Sequence, residues 1–482
     1  MLAVANVLGL MLAAFGATYI LPVLAALLSA DGTARQFIAA GLISTGVGLA
    51  LAGATRRHAR ELKPRDGFLL VTLGWVLMSA SATIPLLMLL PGLTFTRAFF
   101  ECMSGLTTTG STVLTGLDHL PHSVNLWRHT LHWCGGLGII VLAVAVLPLL
   151  GVGGMQLYKA EAPGPVKDEK LTPRITETAK SVWLAYSVIT AIGIIALRVC
   201  GMSWFDAICH CFSAVALGGF STHDRSVAFF NSPAIEFTLA ALMIVASLSF
   251  ARHFVALRRL TLEPYTRDPE AKAIFIVLAV SVVGIAILLA AQHIYPSFGT
   301  ALRYSFFNVV SIATTSGLVA DDYARWPVFA PLWMLFLCCI LCSTGSAGGG
   351  IKMFRTLLLA RQAGREMKLL VHPSAVAPVR IAGRPIPDRV VHSVLAFVFL
   401  YFMTAALLTF ALLATGLDFA SSFGAIIASI NNTGPGLGVV GPLKTYQSLS
   451  SAQIWICTAA MLLGRLEIFS VLVLFTPAFW RK

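Results

Sequence analysis

Four short stretches set backbone and hydroxyl oxygens around a glycine. They are Thr107-Thr108-Thr109-Gly110-Ser111-Thr112, Leu217-Gly218-Gly219-Phe220-Ser221, Thr314-Thr315-Ser316-Gly317-Leu318 and Asn432-Thr433-Gly434-Pro435-Gly436. From Gly110 to Gly219 to Gly317 to Gly434 the intervals are about 109, 98 and 117 residues. Oxygen-rich turns without a nucleophile–base pair suit the binding of a desolvated cation. Successive backbone carbonyls can replace its water shell without trapping it. Such carbonyls face one way only where some residues take backbone angles that crowd a β-carbon, hence the glycines. The expected binding set is Thr108, Thr109 and Gly110; Leu217, Gly218 and Gly219; Thr315, Ser316 and Gly317; and Asn432, Thr433 and Gly434. Hydroxyls of Thr108, Thr109, Thr315 and Thr433 can add to the carbonyls. One such turn would be a loop; four in one apolar chain suggest a ring around an axis.

A second set lies in later segments. Ser343-Thr344-Gly345-Ser346-Ala347-Gly348-Gly349-Gly350 interrupts an apolar stretch. Unwound backbone at membrane depth is tolerated where it is buried in protein or lines water. A loop so rich in glycine is expected to be mobile and to form a gate beneath the ring; a packing kink is the alternative. It is not a phosphate-binding loop, because Ile351 follows Gly350 where lysine and a hydroxyl would be needed. Arg465 falls near the middle of the last apolar stretch, where arginine costs about 2.5–3.5 kcal/mol on insertion scales, and so requires a cavity or a partner. Glu467, two residues on, points to another face. Arg465 is therefore expected to share the gate with the loop, or else to pair with an acid on a neighbouring helix.

Other chemistry-bearing residues are less organised. Asp118, Asp224, Asp321 and Asp322 follow three of the turns and could concentrate cations there; Lys444 follows the fourth. Among the nine cysteines, Cys338, Cys339 and Cys342 sit in an apolar stretch, and Cys209 and Cys211 in another. Without zinc-ligand spacing they read as small buried thiols, and no disulfide framework is implied.

The elements that must position these residues follow from hydropathy. The chain has 482 residues, 57% hydrophobic and 11% charged, where a soluble protein carries about 25% charged residues. Apolar runs predict ten membrane crossings at roughly 3–28, 36–55, 67–91, 125–150, 180–200, 233–257, 272–293, 328–342 continuing as 351–363, 389–415 and 451–479. Those at 125–150, 233–257 and 451–479 are expected to run without a long break. The N-terminal run lacks a basic flank and a cleavage site, and reads as a first span. Four shorter segments, about 95–107, 204–216, 299–313 and 418–431, suit re-entrant half-helices whose negative C-terminal ends aim at the axis.

The net charge of +13 is a topology signal before it is a partner signal. Of 34 lysines and arginines, 25 fall in alternate connections or at the C-terminus, including Arg56–Arg65, Lys159–Lys180, Arg252–Lys272 and Lys352–Arg389. The positive-inside rule places these and both termini in the cytoplasm and every glycine turn on the outer side, with no nucleic-acid role. The predicted fold is an all-α polytopic membrane protein. It has two extra N-terminal helices (1–60) and four pseudo-repeats of helix, pore helix, filter loop and helix (61–160, 161–262, 263–370 and 371–482).

Beyond these patterns, the chain resembles the channel subunits of the Trk-type potassium uptake systems, the TrkH/TrkG family, and more distantly the KtrB and HKT proteins. The resemblance rests on Trp133-Cys134-Gly135-Gly136-Leu137-Gly138-Ile139-Ile140, Leu150–Leu157, Ala160–Lys167, Lys170–Ile175 and Asn431–Gly438, and covers essentially the whole chain. It implies potassium uptake across the bacterial inner membrane by a homodimer with one pore per protomer. It also implies a cytoplasmic TrkA-type partner that binds nicotinamide nucleotide or ATP, the nucleotide lying on the partner and not on this chain. Glycine at all four filter positions favours potassium, since relatives with serine at the first tend to pass sodium; Leu318 replaces a frequent aromatic. Coupled symport with protons or sodium is the alternative, with Glu101, Asp206, Asp418 and Glu467 as positional candidates. An enzyme is disfavoured, because His129, His132 and His210 have no evident partner set.

Overall fold

The computed structural model describes residues 1–58, 60, 62–145 and 175–481. Lys159, the stretches Leu150–Leu157 and Ala160–Lys167, Lys170–Arg174, and the end of the span expected at 125–150 lie outside the described residues.

Among the described residues the chain is helical, apart from a two-stranded antiparallel pair, Arg380–Ile381 with Arg384–Pro385. Within the described residues, six helices are long and apolar enough to cross a membrane: Leu2–Ser29, Ala34–His58, Arg65–Leu89, Lys180–Val199, Pro269–Ala291 and Asp388–Ala414. Two bent pairs bring the number to eight. The remaining two expected crossings correspond to His122–Ala145 and to Phe329–Ile340 followed by Met353–Val371.

Four short apolar helices match the expected half-helices: Phe95–Leu106, Trp204–Ala216, Phe298–Ala313 and Phe419–Ile430. Each starts by the same local device. The side chains of Thr94, Ser203, Ser297 and Asp418 accept the backbone N–H of Arg97, Asp206, Thr300 and Ser421. An oxygen at this position satisfies one of the donors that a helix start leaves unpaired. Each short helix is followed by one of the glycine turns and then by another helix.

Two helices expected to be uninterrupted are broken. Pro233–Ser247 and Phe250–Arg259 meet at 102°, and Ser451–Arg465 and Ile468–Phe475 at 111°. Neither break contains glycine or proline at its corner. In the first, the freed backbone groups are taken by the 343–350 loop: Ser343 N–H donates to Ser247 O at 2.9 Å, and Phe250 N–H to Gly345 O at 3.1 Å. In the second, Glu467 turns the chain at φ 57° and its carboxylate reaches Arg355 at 3.0 Å. Partners from distant segments therefore stabilise both corners.

The two N-terminal helices pack on this assembly through aromatic contact. Tyr19 stacks on Trp127 with ring centroids 4.3 Å apart, and the Trp127 indole donates to Ala82 O at 3.1 Å.

Candidate functional site: four glycine turns and the loop beneath them

The turns are built alike. Each short helix is followed within two residues by one in left-handed conformation, at Thr108 (φ 52°), Leu217 (54°), Thr315 (63°) and Asn432 (55°). The next residue folds its N–H back onto the helix: Thr109 to Ser104 O, Gly218 to Ser213 O, Ser316 to Ser311 O and Thr433 to Ala428 O, each at 2.8 Å. Gly110, Gly219, Gly317 and Gly434 then take φ of 83°, 80°, 79° and 92°, where a β-carbon is strained.

These turns touch in a closed cycle. A β-carbon on Gly110 would stand 2.1 Å from Gly218 O; on Gly219, 2.3 Å from Ser316 O; on Gly317, 1.9 Å from Thr433 O; and on Gly434, 2.6 Å from Thr109 O. Each glycine thus lies against the carbonyl of the next turn, and the fourth returns to the first. All four glycines line one mouth of about 560 Å³, open to solvent and bordered by Ser221, His223, Asp224, Lys444 and Tyr446.

Side chains divide between structure and the enclosed space. The Thr109 hydroxyl is taken by Thr107 at 2.7 Å and by the Asn432 amide at 3.0 Å. That of Thr315 accepts Gly349 N–H at 3.1 Å. By contrast, the hydroxyls of Thr108, Ser316 and Thr433 and the amide oxygen of Asn432 are buried with no hydrogen-bond partner among the described residues. Buried polar atoms are normally paired, so these four are suited to meet a cation or its water.

The acids beside the turns brace the mouth. Asp118 accepts from His223 and from Asp224 N–H at 3.1 Å, while Asp224 accepts Leu117 N–H at 3.1 Å. Asp321 accepts from Tyr295, and Asp322 caps Ala324 at 3.1 Å. Lys444 donates to Gly438 O at 3.1 Å.

Behind the turns, the 343–350 loop lies directly against them. A β-carbon on Gly349 would stand 2.1 Å from Asn431 O, and one on Gly348 3.0 Å from the Thr315 hydroxyl. Gly345 and Gly350 take φ of 78°. Lys352 folds back to donate to Gly348 O, and Ser346 donates to Ser343 O at 2.7 Å. Arg465 is 3% exposed and donates to Ala347 O at 2.7 Å and Gly135 O at 3.0 Å. It meets carbonyls, not the neighbouring acid that the sequence left open. Glu467, as expected, does not neutralise it and holds Arg355 instead.

Comparison with known proteins decides the assignment. The family model described as TrkH, cation transport protein, matches residues 34–482. The chain belongs to the TrkH family. It is 46% identical over 481 residues to the Trk system potassium uptake protein TrkH of Salmonella typhimurium, covering 100% of this chain and 99% of that one. With the Trk system potassium uptake protein TrkG of Escherichia coli it shares 39% identity, covering 89% and 88% of the two chains. The crystal structure of the potassium transporter TrkH from Vibrio parahaemolyticus superposes with a TM-score of 0.92 at 40% identity, covering 100% of this chain and 99% of that one. TrkH proteins are membrane transporters and not enzymes.

In this TrkH-family chain, an ion pair that the sequence reading missed supports the first two turns. Glu101 and Arg128, each 1% exposed, meet at 2.8 Å. Glu101 also accepts the Thr112 hydroxyl at 2.9 Å and Val113 N–H at 2.9 Å, while Arg128 donates to Ser221 O at 3.2 Å and covers the Phe220 ring at 4.2 Å. The pair thus ties the segment after Gly110 to the segment after Gly219. An arginine inside an apolar span was the available signal. The other positional acids are likewise engaged: Asp206 accepts Thr222 at 2.7 Å and Asp418 caps Ser421 at 3.0 Å. Cys209, Cys211, Cys338, Cys339 and Cys342 are buried, as small apolar side chains. His129 and His210 use their Nδ1 atoms on Asn125 O and Asp206 O, at 2.7 and 2.9 Å. His132 meets the Ser213 hydroxyl at 3.1 Å.

Proposed function

We propose that this chain is a gated, potassium-selective pathway across the bacterial inner membrane. The closed cycle of contacts from Gly110 through Gly219 and Gly317 to Gly434 carries this reading. Four turns with one backbone geometry enclose one axis, and carbonyls of Thr109, Gly218, Ser316 and Thr433 sit at their mutual contacts. Replacing potassium's water by such carbonyls gives passage without deep binding. The short helices end at the turns, so their negative ends favour a cation there. The names of the relatives, potassium uptake proteins of the Trk system, agree with this cargo.

The 343–350 loop and Arg465 form the gate. The loop lies against two of the turns, and the guanidinium places a positive charge beside it. A TrkA-type cytoplasmic subunit, carrying the nucleotide, controls it in a homodimeric assembly with both termini in the cytoplasm. Transport is passive in this reading: Glu101, Asp206, Asp418 and Glu467 are all held in structural bonds, which leaves none as an obvious coupling group. Potassium and sodium uptake by proteoliposomes bearing the wild-type chain and its Gly110→Ser variant tests the proposal. Potassium preference should fall in the variant. Equal uptake of both ions by the wild type would refute it.

A further inference from the structure

The 343–350 loop is also held by a buried acidic site. Glu270, fully buried at the start of the Pro269–Ala291 helix, accepts the Ser343 hydroxyl at 3.1 Å and Thr344 N–H at 2.9 Å, both through Oε2. Its other oxygen stands 3.6 Å from Arg252, on the Phe250–Arg259 helix. Arg252 also pairs with Asp268 and lies 3.4 Å from the Ser343 hydroxyl. Asp268 is itself fixed as the cap of its helix, accepting Glu270 N–H at 3.1 Å and Ala271 N–H at 3.0 Å.

Two carboxylates therefore share one guanidinium in a buried place. A buried carboxylate needs hydrogen-bond donors as well as a counter-charge. The loop supplies two of them. If Ser343 and Thr344 withdrew, Glu270 would lose these two donors, so the acid favours the loop in its observed place.

The same loop is bound to the corner of the broken second-repeat helix. Ser343 N–H donates to Ser247 O, Phe250 N–H to Gly345 O, and Ala347 N–H to Ala246 O, at 2.9, 3.1 and 3.4 Å. Arg252 sits in the first turn of the helix that follows that corner. Moving the 250–259 helix would thus disturb the backbone bonds and the Arg252–Glu270 contact together.

We propose that Glu270 and Arg252 are positioning residues that latch the 343–350 loop shut, with the 250–259 helix as the lever that releases it. The proposal rests on the reading of that loop as the gate. The latch acts on the loop and not on the filter turns, so releasing it changes how often the pathway opens and leaves ion preference alone.

The test is rubidium flux into proteoliposomes containing the full chain without its cytoplasmic partner, with Glu270→Gln and Ser343→Ala. Ser343→Ala removes one donor at small risk to folding. Each is expected to raise partner-free flux about tenfold, the effect of one lost charge-assisted hydrogen bond, with the potassium-to-sodium ratio unchanged. A purely structural role would instead lower flux and thermal stability together. A variant of the loop itself, with Gly348 and Gly349 deleted, separates the two claims. If that deletion raises flux while Glu270→Gln and Ser343→Ala do not, the latch is wrong and the gate stands. If none of the three raises flux, both are wrong.

Discussion

Arg465 donates from Nη1 to the carbonyl oxygen of Ala347 at 2.7 Å, joining the last long helix to the middle of the 343–350 loop. Its Nη2 reaches Gly135 O at 3.0 Å, so one guanidinium bridges the loop to the His122–Ala145 helix. A charged donor on two carbonyls holds three segments in one arrangement. Arg465→Ala removes both bonds and the positive charge, and partner-free rubidium flux should rise about tenfold. Unchanged flux would remove Arg465 from the gate.

Substituting a ring glycine should damage selectivity before it damages folding. Gly317→Ala would put a β-carbon 1.9 Å from Thr433 O, and Gly434→Ala one 2.6 Å from Thr109 O. Both residues also carry the positive φ that side chains resist. The potassium-to-sodium permeability ratio should fall on the order of tenfold, the equivalent of ~1.4 kcal/mol. Bi-ionic reversal potentials measure it, and Gly434→Ala should be the milder of the two.

The Glu101–Arg128 pair is fully buried, so breaking it from one side leaves a charge without its partner. Arg128→Met should cost ~3–5 kcal/mol of stability. Thermal unfolding of the detergent-solubilised protein measures the loss. Adding Glu101→Gln to Arg128→Met should restore part of it, because the orphaned charge is then gone.

His223, on the rim of the mouth, should make the stability of the protein depend on pH. Burial alone would lower its pKa, but hydrogen bonds from the ring to Asp206 and Asp118 outweigh burial and raise it. Asp118 is lowered: burial opposes the shift, and the His223 and Asp224 hydrogen bonds overcome it. His210 stacks nearby at 6.3 Å and Phe229 at 3.6 Å. A histidine with a raised folded pKa stabilises fully below its unfolded value of about 6.5, and loses that contribution as pH climbs through the folded value. The lowered carboxylate contributes above its unfolded value of about 3.9 and loses it as pH falls further. Thermal stability should therefore hold between about pH 4 and 6.5 and decline above. His223→Gln should flatten the decline on the alkaline side.

Local features were legible in the sequence and long-range ones were not. The short helices at Phe95–Leu106 and Trp204–Ala216 fall within a residue of their expected ranges, because an oxygen cap and a glycine turn are written beside them. The corners at Leu248 and Glu467 carry no glycine or proline. Their bonds come from residues about a hundred positions away, Gly345 and Arg355. The partners of Arg465 are backbone carbonyls, which no residue type announces. Glu270 lies among the basic residues of the Arg252–Lys272 stretch, and nothing in that stretch points to Ser343 and Thr344, more than seventy positions on, which it meets only in the fold.

The most direct measurement is the reversal potential of the purified protein in a planar bilayer under a potassium gradient. Sodium is then substituted and pH is varied on one side. Reversal at the potassium equilibrium potential, indifferent to pH and to sodium, is the predicted result. A reversal displaced by the proton or sodium gradient would contradict it, and Glu101, Asp206, Asp418 and Glu467 would become the residues to replace.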